Sequence, residues 1–109
     1  LEIKKLSDCI VFSDEKMQKV PIFESERFFF DQYCLLPGQS QRVHSHASED
    51  KVYVVMQGTG TFIIGEDVRE LSAGEAVIAR ATVPHGVSNT SEEKLICLVT
   101  MSPRPAPKK

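Results

Sequence analysis

Turn-forming residues interrupt this 109-residue chain roughly every 8–12 positions, and the runs between them are short and rich in β-branched and aromatic side chains. Such punctuation leaves no room for long helices, and no stretch of a dozen residues keeps an i, i+3, i+4, i+7 apolar pattern. Residues 27–36 read as a long strand, closed by the turn Leu36-Pro37-Gly38-Gln39, where Pro presets φ and Gly supplies a positive one. Strands follow over 41–46, 52–56, 61–64, 68–71, 76–79 and 94–101, separated by turns at 57–60, 65–67 and 72–75. The segments 9–12 and 20–23 are expected to add edge strands. Many short antiparallel strands predict an all-β sandwich or barrel spanning residues 1–101 as a single domain. Residues 102–109 carry Pro103, Pro105 and Pro107, which excludes a central strand and predicts an extended, mobile tail ending in two solvated lysines.

The composition is that of an ordinary globular protein, 41% hydrophobic and 26% charged. A net charge of −2 argues against a nucleic-acid partner, which would ask for a basic stripe. No apolar run approaches the roughly 20 residues of a membrane helix, and residues 1–5 lack the apolar core of a secretory signal, so neither a membrane partner nor export is expected. Cys9, Cys34 and Cys97 are an odd number without metal-type spacing. Buried free thiols in a reducing, cytoplasmic compartment are the simplest reading, with one disulfide plus one free thiol as the alternative.

The chemistry is concentrated in three histidines. His44 and His46 lie two apart, which on a strand puts both imidazoles on one face, and His85 is the third and last histidine of the chain. Two imidazoles from one strand and one from another suit a divalent transition metal such as Fe, Mn, Ni, Cu or Zn. The competing reading is a histidine-lined cavity without metal. Imidazole ligates only when neutral, so occupancy is expected to fall as pH drops below about 6.5.

The spacing of these residues resembles the two motifs of the cupin superfamily. Gly38, His44, His46, Lys51 and Gly58 lie on the pattern G-x5-H-x-H-x3/4-E-x6-G. Gly74, His85 and Asn89 lie on G-x5-P-x-G-x2-H-x3-N, and fifteen residues (59–73) separate the two. The resemblance implies a cupin-type double-stranded β-helix, a jelly-roll barrel, with His44, His46 and His85 as metal ligands. It also implies a homodimer whose N-terminal strands pack across the interface.

Two departures stand out. Arg80 and Thr82 replace the Pro and Gly of the second motif, and Val83-Pro84 offers an alternative bend. Where the first motif has its carboxylate, counting back from Gly58 gives Lys51, while a gap of three after His46 gives Asp50. Strand parity from the Gly58 turn favours Lys51 pointing inward with Tyr53 and Val55. An ammonium cannot ligate a cation, so three neutral imidazoles would leave the metal its full charge and open positions. A lysine beside such a centre favours an anionic ligand: a carboxylate, an enolate or a phosphate. Lys51 snorkelling to solvent beside Glu49 or Asp50 is the plain alternative. Lys51, Asp50, Gln32 and Tyr53 are the candidate second-layer or substrate contacts. Gln32 enters because Phe28, Phe30, Gln32, Cys34 and Leu36 form the more apolar, hence inward, face of their strand. Arg42 shares parity with His44 and either faces the cavity mouth or is a solvated strand end. Asn89 reads as a turn-fixing residue, and Pro84 and Gly86 as backbone shaping. Two functions remain open: an enzyme of dioxygenase, isomerase or lyase type acting on a small anionic or oxygen-rich molecule, and a non-catalytic module binding a sugar or carboxylate. No catalytic residue is assigned.

Overall fold

The computed structural model describes residues 1–105. Among these residues nine strands follow one turn of 3-10 helix at Leu6–Cys9: β1 (Gln18–Glu24), β2 (Phe29–Leu35), β3 (Ser40–His44), β4 (Asp50–Gln57), β5 (Thr59–Ile64), β6 (Asp67–Ser72), β7 (Ala76–Ala79), β8 (His85–Ser88) and β9 (Leu95–Ser102). They form two antiparallel sheets, ordered β1-β2-β9-β4-β7 and β3-β8-β5-β6. The architecture is all-β, as the turn spacing predicts, and has the two antiparallel sheets of the jelly roll that the motif resemblance implies.

Between the sheets lies a core of Tyr33, Leu35, Tyr53, Val55, Phe62, Val87, Leu95, Cys97 and Val99. Register explains their meeting. Tyr33 and Val55 both pair with Cys97, and Tyr53 pairs with Val99, so successive rows of the five-stranded sheet point at Phe62 and Val87, which pair in the opposite sheet. Burying each large apolar side chain contributes about 1.5–3 kcal/mol. The reversal from β4 to β5 depends on Gly58, whose φ is +84° and whose missing Cβ leaves room for the Lys94 carbonyl.

Several expectations are corrected. Residues 9–12 form no strand: Cys9 closes the 3-10 turn and the chain runs on irregularly to β1. The long strand is shorter, Phe29–Leu35, and its faces are the reverse of those expected. Tyr33 and Leu35 join the inter-sheet core, whereas Gln32 and Cys34 face outward beneath the N-terminal segment. Gln32 Nε2 donates to the carbonyls of Leu6 (2.8 Å) and Cys9 (3.0 Å), so this side chain staples the N-terminal turn and is no substrate contact. Both faces of β2 are covered, which is why apolar content alone misjudged them. Residues 102–104 are also tied down: Ser102 ends β9, and Ser102 Oγ and Arg104 N–H both donate to the Arg27 carbonyl at 3.1 Å. The rest of the expected mobile tail, residues 106–109, lies outside the described residues. All three cysteines are buried free thiols.

Candidate metal centre

β3 and β8 carry two of the three histidines to one place. His44, the last residue of β3, pairs directly with His85, the first of β8. Between the pairs Gln41–Val87 and His44–His85, β3 uses one residue more than β8. This bulge turns Gln41 and His44, three apart in sequence, to the same side of the sheet. Gly86 permits it: a Cβ there would lie 2.8 Å from the Gln41 carbonyl oxygen and 3.2 Å from Val43 Cα. The strand alternation that grouped Arg42 with His44 is broken at the same point, and Arg42 is exposed.

His46 lies two residues beyond the end of β3, so strand alternation does not deliver it. Its backbone is hooked instead. The N–H of Thr82 donates to the His46 carbonyl at 2.7 Å. Thr82 stands where the second motif has glycine, and it adopts φ +74° without glycine's freedom. A threonine supplies the positive φ at the position where the motif has glycine, so the bend sits at Thr82 itself. For a β-branched residue this conformation costs on the order of 1–3 kcal/mol.

The three imidazoles converge. Ring centroids lie 4.8 Å apart for His44–His46, 4.5 Å for His44–His85 and 5.5 Å for His46–His85. One nitrogen from each falls within 4.8 Å of the others. His44 Nδ1 lies 2.9 Å from the Arg42 carbonyl and His85 Nδ1 2.9 Å from the Val83 carbonyl. A carbonyl only accepts, so Nδ1 carries the proton in both rings and Nε2 keeps a free lone pair. His46 Nε2 and His85 Nε2 are buried with no hydrogen-bond partner among the described residues. Buried polar atoms left without a partner are rare in folded proteins and mark a place where something else binds. Neutral, carbonyl-oriented imidazoles are the donor set of a borderline transition metal, and the residues fit one.

The electrostatics keep these rings neutral. Burial lowers the pKa of all three. His85 falls to about 4: burial outweighs the raising effect of the Val83 carbonyl, and the charges of Lys51, His44 and His46 push the same way. Neutral imidazole therefore persists to lower pH than the expected limit near 6.5.

Lys51 points inward and is 1% exposed. Its Nζ lies 5.1 Å from the ring centres of both Tyr33 and Tyr53. Burial lowers its pKa to about 7, with Lys19 pushing the same way and Asp31 opposing. Asp50 is turned away, its Oδ1 accepting the Ala81 N–H at 2.8 Å. Tyr53 is fully buried, and its ring centre lies 6.3 Å from that of His85. The Tyr53 hydroxyl donates to Gln41 Oε1 at 2.7 Å, and Gln41 Nε2 donates to the Tyr33 hydroxyl at 3.3 Å. Gln41 thus knits the wall beside the site. Sequence reasoning passed it over because it alternates out of phase with His44, and only the bulge brings it in.

The family model of the cupin domain matches residues 32–101. This chain is a cupin. The match covers both histidine motifs, β3 to β8 whole and most of β2 and β9. The cupin is similar over 96% of its length, at 45% identity and a TM-score of 0.94, to the whole of TT1209 from Thermus thermophilus. It is also similar to KdgF from a Halomonas species, at 21% identity and a TM-score of 0.79, covering 87% of this chain and 86% of that one. A third solved structure, a predicted oxalate decarboxylase from Thermotoga maritima, matches at 20% identity and a TM-score of 0.77 over 81% of each chain. The last two likenesses are of fold alone. A search of curated proteins finds no match. No helix among the described residues is long and apolar enough to cross a membrane.

Proposed function

We propose that this cupin holds one divalent transition metal through His44, His46 and His85 and uses it on a small, anionic, oxygen-rich molecule. The observation that carries the reading is the pair of buried Nε2 atoms without partners, aimed into a three-imidazole cluster. Such an ion, when bound with three neutral ligands, supplies Lewis acidity and, for a redox metal, dioxygen chemistry. The chain's own residues supply the rest. The carbonyls of Arg42 and Val83 fix two ring tautomers, and the Thr82–His46 link sets the third ring's backbone. Lys51, in the motif's carboxylate position, presents an amine whose pKa burial lowers to about 7, against the raising effect of Asp31. Charged, it attracts an anionic substrate group; neutral, it accepts a proton. The Tyr53–Gln41–Tyr33 chain holds the polar wall rigid. The description of the Thermotoga neighbour as a predicted oxalate decarboxylase fits a carboxylate substrate class.

Metal titration of the chelator-stripped protein tests this. About one equivalent of Fe, Mn, Ni, Cu or Zn should be taken up and resist mild dialysis. Failure of all five to bind overturns the reading. Lys51 in place of the motif's carboxylate favours a second reading, a ligand-binding module that needs no metal. Thermal shifts by small carboxylates or sugars that survive chelation would select it. We also infer pairing of two copies through the N-terminal segment, where Leu1, Ile3 and Val11 are exposed, and sedimentation velocity checks this.

A further inference from the structure

β1 and β3 are edge strands, one from each sheet, and the barrel opens between them. The opening is a cleft of about 500 Å³ lined by Lys16, Lys19, Ser40, Gln41, Arg42 and His44, together with Met17. His44 and Gln41 belong to the site and its wall, while Lys16, Lys19 and Arg42 are exposed around them. The lining thus carries three cationic side chains and no carboxylate, in a chain with 15 acidic and 13 basic residues. Asp31 faces Lys19 electrostatically from β2, but it does not line the cleft. A cleft lined by one sign of charge concentrates ligands of the opposite sign.

We propose that Lys16, Lys19 and Arg42 form a distal anion subsite, so that the substrate is a small dianion, such as a dicarboxylate, with one anionic group at the histidines and the other at the cleft rim. The placement of the inner group rests on the proposed metal centre; the rim stands on the cleft lining itself. The volume is within the usual range for small-molecule sites. Of the three histidines only His44 lines the cleft with the cations, so the proposed dianion reaches the cluster past His44. The rim then selects by charge number: a monoanion satisfies the inner site and leaves the rim unused.

Isothermal titration of the zinc-loaded protein with glutarate and with butyrate, at fixed low ionic strength, tests the proposal. Three exposed charges, each contributing the modest energy of a surface pair, should favour glutarate by roughly tenfold. The triple variant Lys16→Met, Lys19→Met, Arg42→Met should bring the ratio close to one while still binding zinc. Raising the salt concentration should shrink the wild-type ratio. A wild-type ratio near one, or a ratio unchanged in the triple variant, overturns the subsite. Zinc uptake is read separately by chelator competition. If zinc does not bind, the metal reading fails and the rim is read on the metal-free protein. Glutarate bound by the wild type and lost in the triple variant then still supports the subsite. Equal binding by both, or none, overturns it.

Discussion

The two ends of β8 treat buried polar groups in opposite ways. At its C-terminal end, Asn89 is fully buried and every polar atom of its side chain is used. Nδ2 donates to the carbonyls of Leu35 (3.0 Å) and Glu93 (2.7 Å), and Oδ1 accepts from Ser91 N–H (3.1 Å) and Ser91 Oγ (2.7 Å). Its backbone also closes a pair of bonds with Gly38 and Gln39, joining the ends of the two motifs. At the N-terminal end, His85 is 1% exposed and its Nε2 has no partner. A satisfied buried polar group is scaffold. An unsatisfied one, kept beside two more imidazoles, is a cost that folding alone does not explain.

Crossed substitutions should separate the two ends. His46→Ala should weaken metal binding more than 100-fold, because loss of a ligand exceeds the 10–100-fold typical of losing an outer-layer partner. It should leave the metal-free protein within about 1 kcal/mol of wild-type stability, since it removes a buried ring nitrogen that has no partner among the described residues. Asn89→Ala should do the reverse, costing about 2–3 kcal/mol in urea unfolding while the folded protein keeps its metal affinity. If the two variants behaved alike, the contrast between the ends would collapse.

The next effect is on pH dependence. Lys51 has a folded pKa of about 7 against 10.5 unperturbed, so between these values the unfolded chain binds more protons. Stability should therefore rise with pH across that window, at up to about 1.4 kcal/mol per pH unit. Lys51→Met should flatten this slope and raise stability at neutral pH. His85 behaves likewise lower down: its depressed pKa predicts that the metal-free protein loses stability as pH falls from about 6.5 toward 4. Denaturant midpoints across a pH series measure both windows.

The smallest effect sharpens the site end. Thr82→Gly should stabilise by about 0.5–1 kcal/mol, the relief of the positive φ being partly offset by the added freedom of the unfolded chain. A destabilised Thr82→Gly would mean that the threonine side chain does more than tolerate its conformation.

Much of this was legible before the structure. The glycines at 38, 58 and 74 all have positive φ at turns, and strands lie between them close to where the sequence places them. Lys51 follows from parity, because Lys51, Tyr53 and Val55 alternate inward along β4. The errors cluster where parity loses its meaning. Gln32 was misplaced because both faces of β2 are covered, so apolar content does not tell inside from outside. Gln41 was missed because the bulge inserts a residue between it and His44. Thr82 departs from the motif in residue type, yet it adopts a positive φ, which glycine takes freely.

The sequence by itself determined most of the strand succession, though not β8 nor the lack of a strand at 9–12, together with the family and the three imidazoles, because turn residues and ligand spacing act locally or at fixed offsets. Only the tertiary structure decided which polar atoms inside are satisfied, that Gln41 rather than Gln32 belongs to the wall, and that cations from β1 and β3 rim one cleft. Those facts depend on which strands become neighbours and on a single extra residue in β3, and pairing across a barrel is a long-range choice that no short window of sequence encodes.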